Sequence, residues 1–274
     1  MLPGVPAPPV ALSTASVYPE PLRAAFELAA ELGYDGVELM VWPDPASQDV
    51  PTVARLSEKF GVPVLAVHAP CLAVAQRVWS REPISRIRRS VAAAATLGAG
   101  TVVLHPPFRW QRRYAAQFAD EVARAGEHAG IALAVENMFP IRRSGVRTVP
   151  YSPGFDPTEV GHAHYTLDLS HTATSGVDAL AMMERMGSGL AHVHLADGSG
   201  SPRDEHLVPG RGNQPCAEVC ERLVTGGFGG TVVVEISTRR CRTREERAGL
   251  LAESLLFARL HLQPTARQAV PARG

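Results

Sequence analysis

Six short apolar runs in this chain each stop on a side chain that can bind a metal ion. They read V-L-A-V-His68, T-V-V-L-His105, A-L-A-V-Glu136, Y-T-L-Asp168, A-H-V-His194 and V-V-V-Glu235. Three further candidates, His171, Asp204 and His206, stand in D-L-S-H and D-E-H. Carboxylates and imidazoles are poor choices for the end of a buried strand unless something pairs them. Their recurrence there predicts convergence on one point, with divalent cations as the means of holding them together. Mixed oxygen and nitrogen donors without thiolate suit Zn²⁺, Mn²⁺, Fe²⁺ or Co²⁺ better than Ca²⁺. These candidates exceed what one ion needs, so the expected complement is one to three ions per chain, with Mg²⁺ also in the set. Taken alone, His68 reads equally as a structural or substrate-contact residue. Glu38 in G-V-E-L-M reads as an active-site hydrogen-bonding group or a core salt bridge. His192, two residues before His194, is expected to face the helix layer. His128, His162, His164 and His261 read as surface or helix-packing residues. The set as a whole is what argues for a metal centre.

Convergence needs a scaffold that brings strand ends together. Strand-like runs occur at 9–14, 36–41, 62–68, 101–105, 131–136, 165–169, 191–195 and 231–236; they are short and rich in Val and Leu, as buried parallel strands are. Amphipathic helices are expected between them, for example over 21–32, 50–60, 84–97, 114–129 and 216–224, with a last helix over 243–260. The helix-to-strand joints carry stop signals such as L-G-Y-D-G, F-G-V-P, L-G-A-G and G-G-F-G-G. Eight such units predict a single (β/α)₈ barrel over 9–262, with flexible ends at 1–8 and 263–274. In that fold the C-terminal strand ends share one mouth, which is where the candidates fall. No G-x-G-x-x-G follows the first strand, which weakens a dinucleotide-binding alternative.

The 274 residues are 45% hydrophobic and 20% charged, with zero formal net charge. No global field therefore draws the chain to nucleic acid or membrane. No run approaches the roughly 20 apolar residues of a membrane span, and the N-terminus lacks the basic and apolar regions of a signal peptide. Cys71, Cys216, Cys220 and Cys241 have irregular spacings that suggest reduced thiols in a cytoplasmic protein. The basic charge is almost all arginine, Lys59 being the only lysine. Arginines follow the fourth, fifth and eighth strands, in F-R-W-Q-R-R-Y, I-R-R-S-G-V-R and T-R-R-C-R-T-R, and Arg203 and Arg211 flank D-E-H. Guanidinium groups on the mouth side suit phosphate or carboxylate, and Arg109, Arg142 and Arg211 are the candidates to grip it. Trp110 and Tyr114 among them either stack on a sugar or base or pack the loop.

The motifs A-V-H-A-P, V-V-L-H-P-P, A-V-E-N, L-D-L-S-H, H-V-H-L-A-D, D-E-H-L-V-P-G-R-G-N and V-V-V-E-I resemble the xylose isomerase-like barrel superfamily over roughly Val10 to Leu260. That superfamily includes sugar isomerases, sugar epimerases and the endonuclease IV type of AP endonuclease. The resemblance implies a metal quartet on Glu136, Asp168, His194 and Glu235, in which the two glutamates also move a substrate proton. The nuclease type's nine zinc ligands also find matches. His68, His105 and Glu136 would serve one ion, the quartet a second, and His171, Asp204 and His206 a third. Glu38 looks like the substrate-facing carboxylate of the isomerase branch. The segment after His68 does not look like the DNA-penetrating loops of the nuclease branch.

The leading expectation is a divalent-metal-dependent isomerase or epimerase of a small sugar, polyol or sugar phosphate, working by proton transfer through an enediolate. Glu136 and Glu235 would be base and acid, and Glu38, His68 and His105 would orient hydroxyls. The alternatives are a three-zinc phosphodiester hydrolase acting on abasic DNA and a non-catalytic metal-binding barrel. The oligomeric state is open to either a monomer or a homo-oligomer.

Overall fold

Side-chain alternation divides each strand between two chemically different surroundings. The computed structural model describes residues 7–71, 73–143 and 145–263, so most of 1–8 and 263–274 lies outside the described residues. Eight parallel strands form a closed barrel: β1 Val10–Ser13, β2 Gly36–Met40, β3 Val64–His68, β4 Thr101–Leu104, β5 Ala132–Glu136, β6 His164–Asp168, β7 Leu190–Leu195 and β8 Thr231–Val234. Each pairs with its neighbour in sequence, and β8 closes on β1. Helices α1 Leu22–Leu32, α2 Val50–Phe60, α3 Pro83–Leu97, α4 Arg112–Ala129, α5 Leu169–Ser175, α6 Ala179–Met186, α7 Cys216–Thr225 and α8 Arg244–His261 fill the crossovers. This is the (β/α)₈ barrel that the repeating units predict.

The hydrophobic core lies between the strands and the helices. Leu12, Val37, Leu39, Val67, Val102, Leu104, Val135, Leu167, Val193, Leu195 and Val234 supply the outward row of the strands and pack with Phe26, Leu28, Ile87, Val219 and Leu251 of the helices. The opposite row points into the barrel and is small or polar: Ala11, Ser13, Glu38, Ala66, Ala134, Thr166, Asp168, His192 and His194, all with no exposed surface. Residues two apart on a strand share a face. His192 therefore shares the inward face of His194 and does not face the helix layer as expected. Its ring lies in the barrel, 2.8 Å from Glu38.

The helix boundaries follow from local chemistry. Helices α1 to α5 each end on a glycine in the left-handed region: Gly33, Gly61, Gly98, Gly130 and Gly176. Asp168 caps α5 through the His171 amide, so one residue is both strand end and helix start. The arginine-rich run after β5 contains a two-stranded hairpin, Ile141–Arg143 with Val146–Thr148, that the sequence reading treats as loop. Among the described residues no helix is long and apolar enough to cross a membrane.

Gly230 shows how tightly the strand starts are packed. A Cβ there would run into the Ala191 carbonyl oxygen and the Phe228 ring, whereas one on Gly229 would meet nothing within 4 Å. Gly230→Ala should therefore cost about 1–3 kcal/mol in urea unfolding. Gly229→Ala should stay within about 0.5 kcal/mol of the parent.

Candidate metal centre

The strand ends bring all nine candidates to one mouth. His68, His105, Glu136, His171, Asp204, His206 and Glu235 line a cavity of about 240 Å³, together with Met40, Trp42, Ile236, Ser237 and Arg239. Asp168 and His194 lie fully buried among them. The donors fall into overlapping groups close enough to share ions: His68, His105 and Glu136; Glu136, Asp168, His194 and Glu235; and Asp168, His171 and His206. Asp204 joins the last group through Oδ2, 3.3 Å from His171 Nε2 and 2.9 Å from His206 Nε2.

Three of the rings are oriented by a backbone carbonyl behind them. A carbonyl oxygen can only accept, so the ring nitrogen facing it must carry the hydrogen. His68 Nδ1 donates to the Ala69 carbonyl (3.1 Å), His171 Nδ1 to the Asn137 carbonyl (2.8 Å) and His206 Nδ1 to the Glu235 carbonyl (2.7 Å). In all three the Nε2 lone pair is left for the cluster, which is the second-layer arrangement of metal-binding histidines. Asn137, of the A-V-E-N motif, clamps the Asp168 backbone with both ends of its amide.

Three buried atoms test whether a cation fits. Glu136 Oε2 lies 2.9 Å from His105 Nε2 and 3.3 Å from His68 Nε2, yet accepts a hydrogen bond from neither. Asp168 Oδ2 and His105 Nδ1 are also buried without a hydrogen-bond partner. Unpaired carboxylate oxygens beside imidazole nitrogens are costly unless a cation completes the set. The donor chemistry fits a borderline divalent ion such as Zn²⁺, Mn²⁺, Co²⁺ or Fe²⁺.

Without a cation, protons hold the charges together. Burial opposes ionisation of Glu136, Glu235 and Asp204, but the facing imidazoles outweigh it and hold all three below the usual carboxylate range. Burial likewise disfavours the charged rings, yet the carboxylates raise His194 and His206 well above 6.5 and His171 to about 10. His105 is the exception: burial dominates and pulls it down.

The loop carrying Asp204 and His206 is tied down by Asp197, the last residue of H-V-H-L-A-D. Its buried carboxylate accepts from the amides of Gly198 (2.8 Å), Gly210 (2.9 Å), Gly212 (3.0 Å) and Gln214 (3.0 Å). A Cβ on Gly212 would collide with that carboxylate, which explains the G-R-G run behind D-E-H. His206 itself takes a positive φ of 46°.

Several candidates lie elsewhere. Glu38 does not line the cavity: it is fully buried on the inward face of β2 and contacts His192 and His194. Arg109 binds the Tyr151 and Pro153 carbonyls, Arg142 is exposed on the hairpin, and Arg211 pairs with Glu253. None of the three lines the cavity. Trp110 stacks on Phe108 at 4.3 Å and Tyr114 packs edge-on against Phe118, so both serve the loop and helix packing. The residues missed are Trp42, Met40 and Arg239 on the cavity wall and Asp197 behind it. Trp42 and Met40 end an apolar strand without a metal-type residue, and Asp197 was visible only as part of a motif.

Residues 26–260 match the family described as xylose isomerase-like TIM barrel. An uncharacterised protein of Mycobacterium tuberculosis is 56% identical over 94% of this chain and 99% of its own length. Fructoselysine 3-epimerase of Shigella flexneri is 22% identical over 80% of this chain and 86% of its own. A crystal structure of D-allulose 3-epimerase from Methylomonas sp. in complex with D-allulose superposes with a TM-score of 0.68 at 18% identity, covering 93% of this chain and 98% of that one.

Asp197→Ala should leave four amides without their acceptor and cost about 2–4 kcal/mol. Hydrogen exchange at Gly210, Gly212 and Gln214 should rise with it, and unchanged exchange would contradict the clamp. The protonated His171 adds a pH dependence. Its raised value stabilises the metal-free protein fully below about 6.5 and loses that effect as pH climbs toward 10. Urea midpoints in EDTA should therefore fall across that window, and fall less in metal-loaded protein, where protons have already left the ligands.

Proposed function

The chain belongs to the xylose isomerase-like TIM barrel family, and from that premise we propose that it is a divalent-metal-dependent isomerase or epimerase of a small sugar, polyol or sugar phosphate. The observation that carries this reading is a pair of carboxylates. Glu136 Oε1 and Glu235 Oε2 flank His194 Nδ1 at 3.2 and 2.9 Å, and both residues line a cavity of monosaccharide scale. The likeness to two carbohydrate epimerases supports a carbohydrate substrate.

Glu136, Asp168, His194 and Glu235 would hold the principal ion, with His68 and His105 beside Glu136 and with His171, Asp204 and His206 as a further group. Such an ion supplies Lewis acidity toward neighbouring carbonyl and hydroxyl oxygens. Glu136 and Glu235 take a proton from a substrate carbon and return one, the two carboxylates exchanging the roles of base and acid. In the metal-free protein the imidazoles hold both below the usual carboxylate range, so the carboxylate that takes the substrate proton becomes the acid that returns it, and the other acts as acid only after taking a proton from solvent. His68 and His105 offer ring edges to substrate hydroxyls from the cavity wall. Met40, Trp42 and Ile236 add apolar surface to the cavity lining, which excludes water and fits a sugar's C–H face. Arg239 is exposed and lines the same cavity, its guanidinium 5.0 Å from the centroid of the Tyr18 ring. It takes the role of binding an anionic substituent that the sequence gives to Arg109, Arg142 or Arg211.

A second reading is a three-metal phosphodiester hydrolase acting on abasic DNA. The assembled His171, Asp204 and His206 group favours it, and the cavity volume favours the small-molecule reading.

Ketoses, aldoses, inososes and their phosphates, assayed in D₂O with Mn²⁺, Co²⁺, Zn²⁺ or Mg²⁺, separate the two. The small-molecule reading expects a turned-over substrate carrying deuterium at one carbon. Glu136→Gln and Glu235→Gln should each lower kcat by about 10²–10⁴-fold. Arg239→Ala should raise KM for a phosphorylated substrate by roughly tenfold or more while leaving kcat near the parent value. Nicking of an abasic duplex with no exchange in any sugar would overturn the proposal in favour of the hydrolase.

A further inference from the structure

We propose that Glu38 is a positioning residue that fixes which nitrogen of His194 binds the principal metal ion. The inference rests on the metal-dependent reading above and adds to it a residue behind the ligands. His194 differs from the other oriented rings at the mouth. His68, His171 and His206 turn Nδ1 to a backbone carbonyl and Nε2 to the cluster. His194 is reversed. Its Nδ1 faces Glu136, Asp168 and Glu235 at 3.2, 3.5 and 2.9 Å, and its Nε2 faces Glu38 at 3.2 and 3.3 Å.

The strand that carries it, β7, is paired on both sides in the barrel, and the Nε2 side of the ring meets a side-chain carboxylate where the other rings meet a backbone carbonyl. The acceptor is an inward side chain from another strand. Glu38 supplies it from β2. A carboxylate has no hydrogen to give, so both imidazole nitrogens that face it carry their own. His192 Nε2 donates to Glu38 Oε2 at 2.8 Å and holds the carboxylate in place. His194 Nε2 donates to the same group, and its Nδ1 lone pair is directed at the metal ligands. Glu38, His192 and His194 have no exposed surface, so water cannot take over the acceptor role. A carboxylate behind a ligand imidazole also makes the ring a stronger donor to the ion, a role that typically carries a 10–100-fold effect on affinity.

A carboxylate that merely fills the barrel would be replaceable by its amide. Glu38→Gln keeps the shape, but its amide can turn an N–H toward the rings and no longer requires Nε2–H on His194. The test is Co²⁺ binding to metal-free protein by chelator competition, with the visible spectrum of the bound ion as a second readout. Glu38→Gln should weaken binding by roughly 10–100-fold and shift the spectrum, and Glu38→Asp should recover part of the affinity. His192→Leu, which removes the hydrogen bond that holds Glu38, should weaken binding by several-fold and is the deciding variant if Glu38→Gln does not fold. Affinity within twofold of the parent and an unchanged spectrum in the folded variants would overturn the proposal. Failure of the unsubstituted protein to bind Co²⁺ would overturn the metal-dependent reading, and this inference with it.

Discussion

Everything at the barrel mouth answers to one constraint: carboxylates and imidazoles buried at contact distance must have their charges matched. Glu136 touches His68, His105, His171 and His194, and Asp204 touches His171 and His206. Protons can meet the constraint, at the cost of imidazolium ions in a buried site. Divalent cations meet it with the rings neutral and the carboxylates ionised. The unpaired oxygens of Glu136 and Asp168 favour the second solution.

The fold satisfies this constraint by dividing labour between the two faces of its strands. The outward row packs against helices and carries the apolar core. The inward row is freed from core packing and holds small residues below a polar mouth. Two register irregularities, at Val37/Glu38 and Tyr165/Thr166, fall where that inward row is most polar. Loops complete the centre only where buried side chains hold them. Asp197 gathers four amides of the segment that carries Asp204 and His206. Arg247, itself buried, pairs with Glu20 and bonds Thr238, bracing the segment that carries Arg239.

Much of this was legible in the sequence because strand ends advertise themselves. An apolar run that terminates on His68 or Glu136 marks both a strand and a place at the mouth, and repetition of the pattern gives the barrel. Side-chain parity was also available, and its misuse explains the reversed placement of His192: two residues apart means the same face. The orientation of Glu38 was harder. Its place in a short apolar run is compatible with the mouth or the barrel interior, and only the register against β1 and β3 puts it below the ligands. The arginines were the least legible. Arg109, Arg142 and Arg211 follow strands as Arg239 does, but their partners are fixed by tertiary contacts with no local signature.

The candidate ligands therefore differ in rank. Asp168, His194 and Glu136 of the quartet sit deepest, the His68–His105 pair shares Glu136 with them, and the His171–Asp204–His206 group depends on a clamped loop. The most direct test of the central claim is an anomalous-scattering map of crystals grown with Mn²⁺, Co²⁺ or Zn²⁺, paired with elemental analysis of the same protein. At least one stoichiometric ion bound by Glu136, Asp168, His194 and Glu235 is the result this account predicts. A mouth with no ion in any of the three metals, and with the carboxylates paired to imidazolium rings alone, would contradict it.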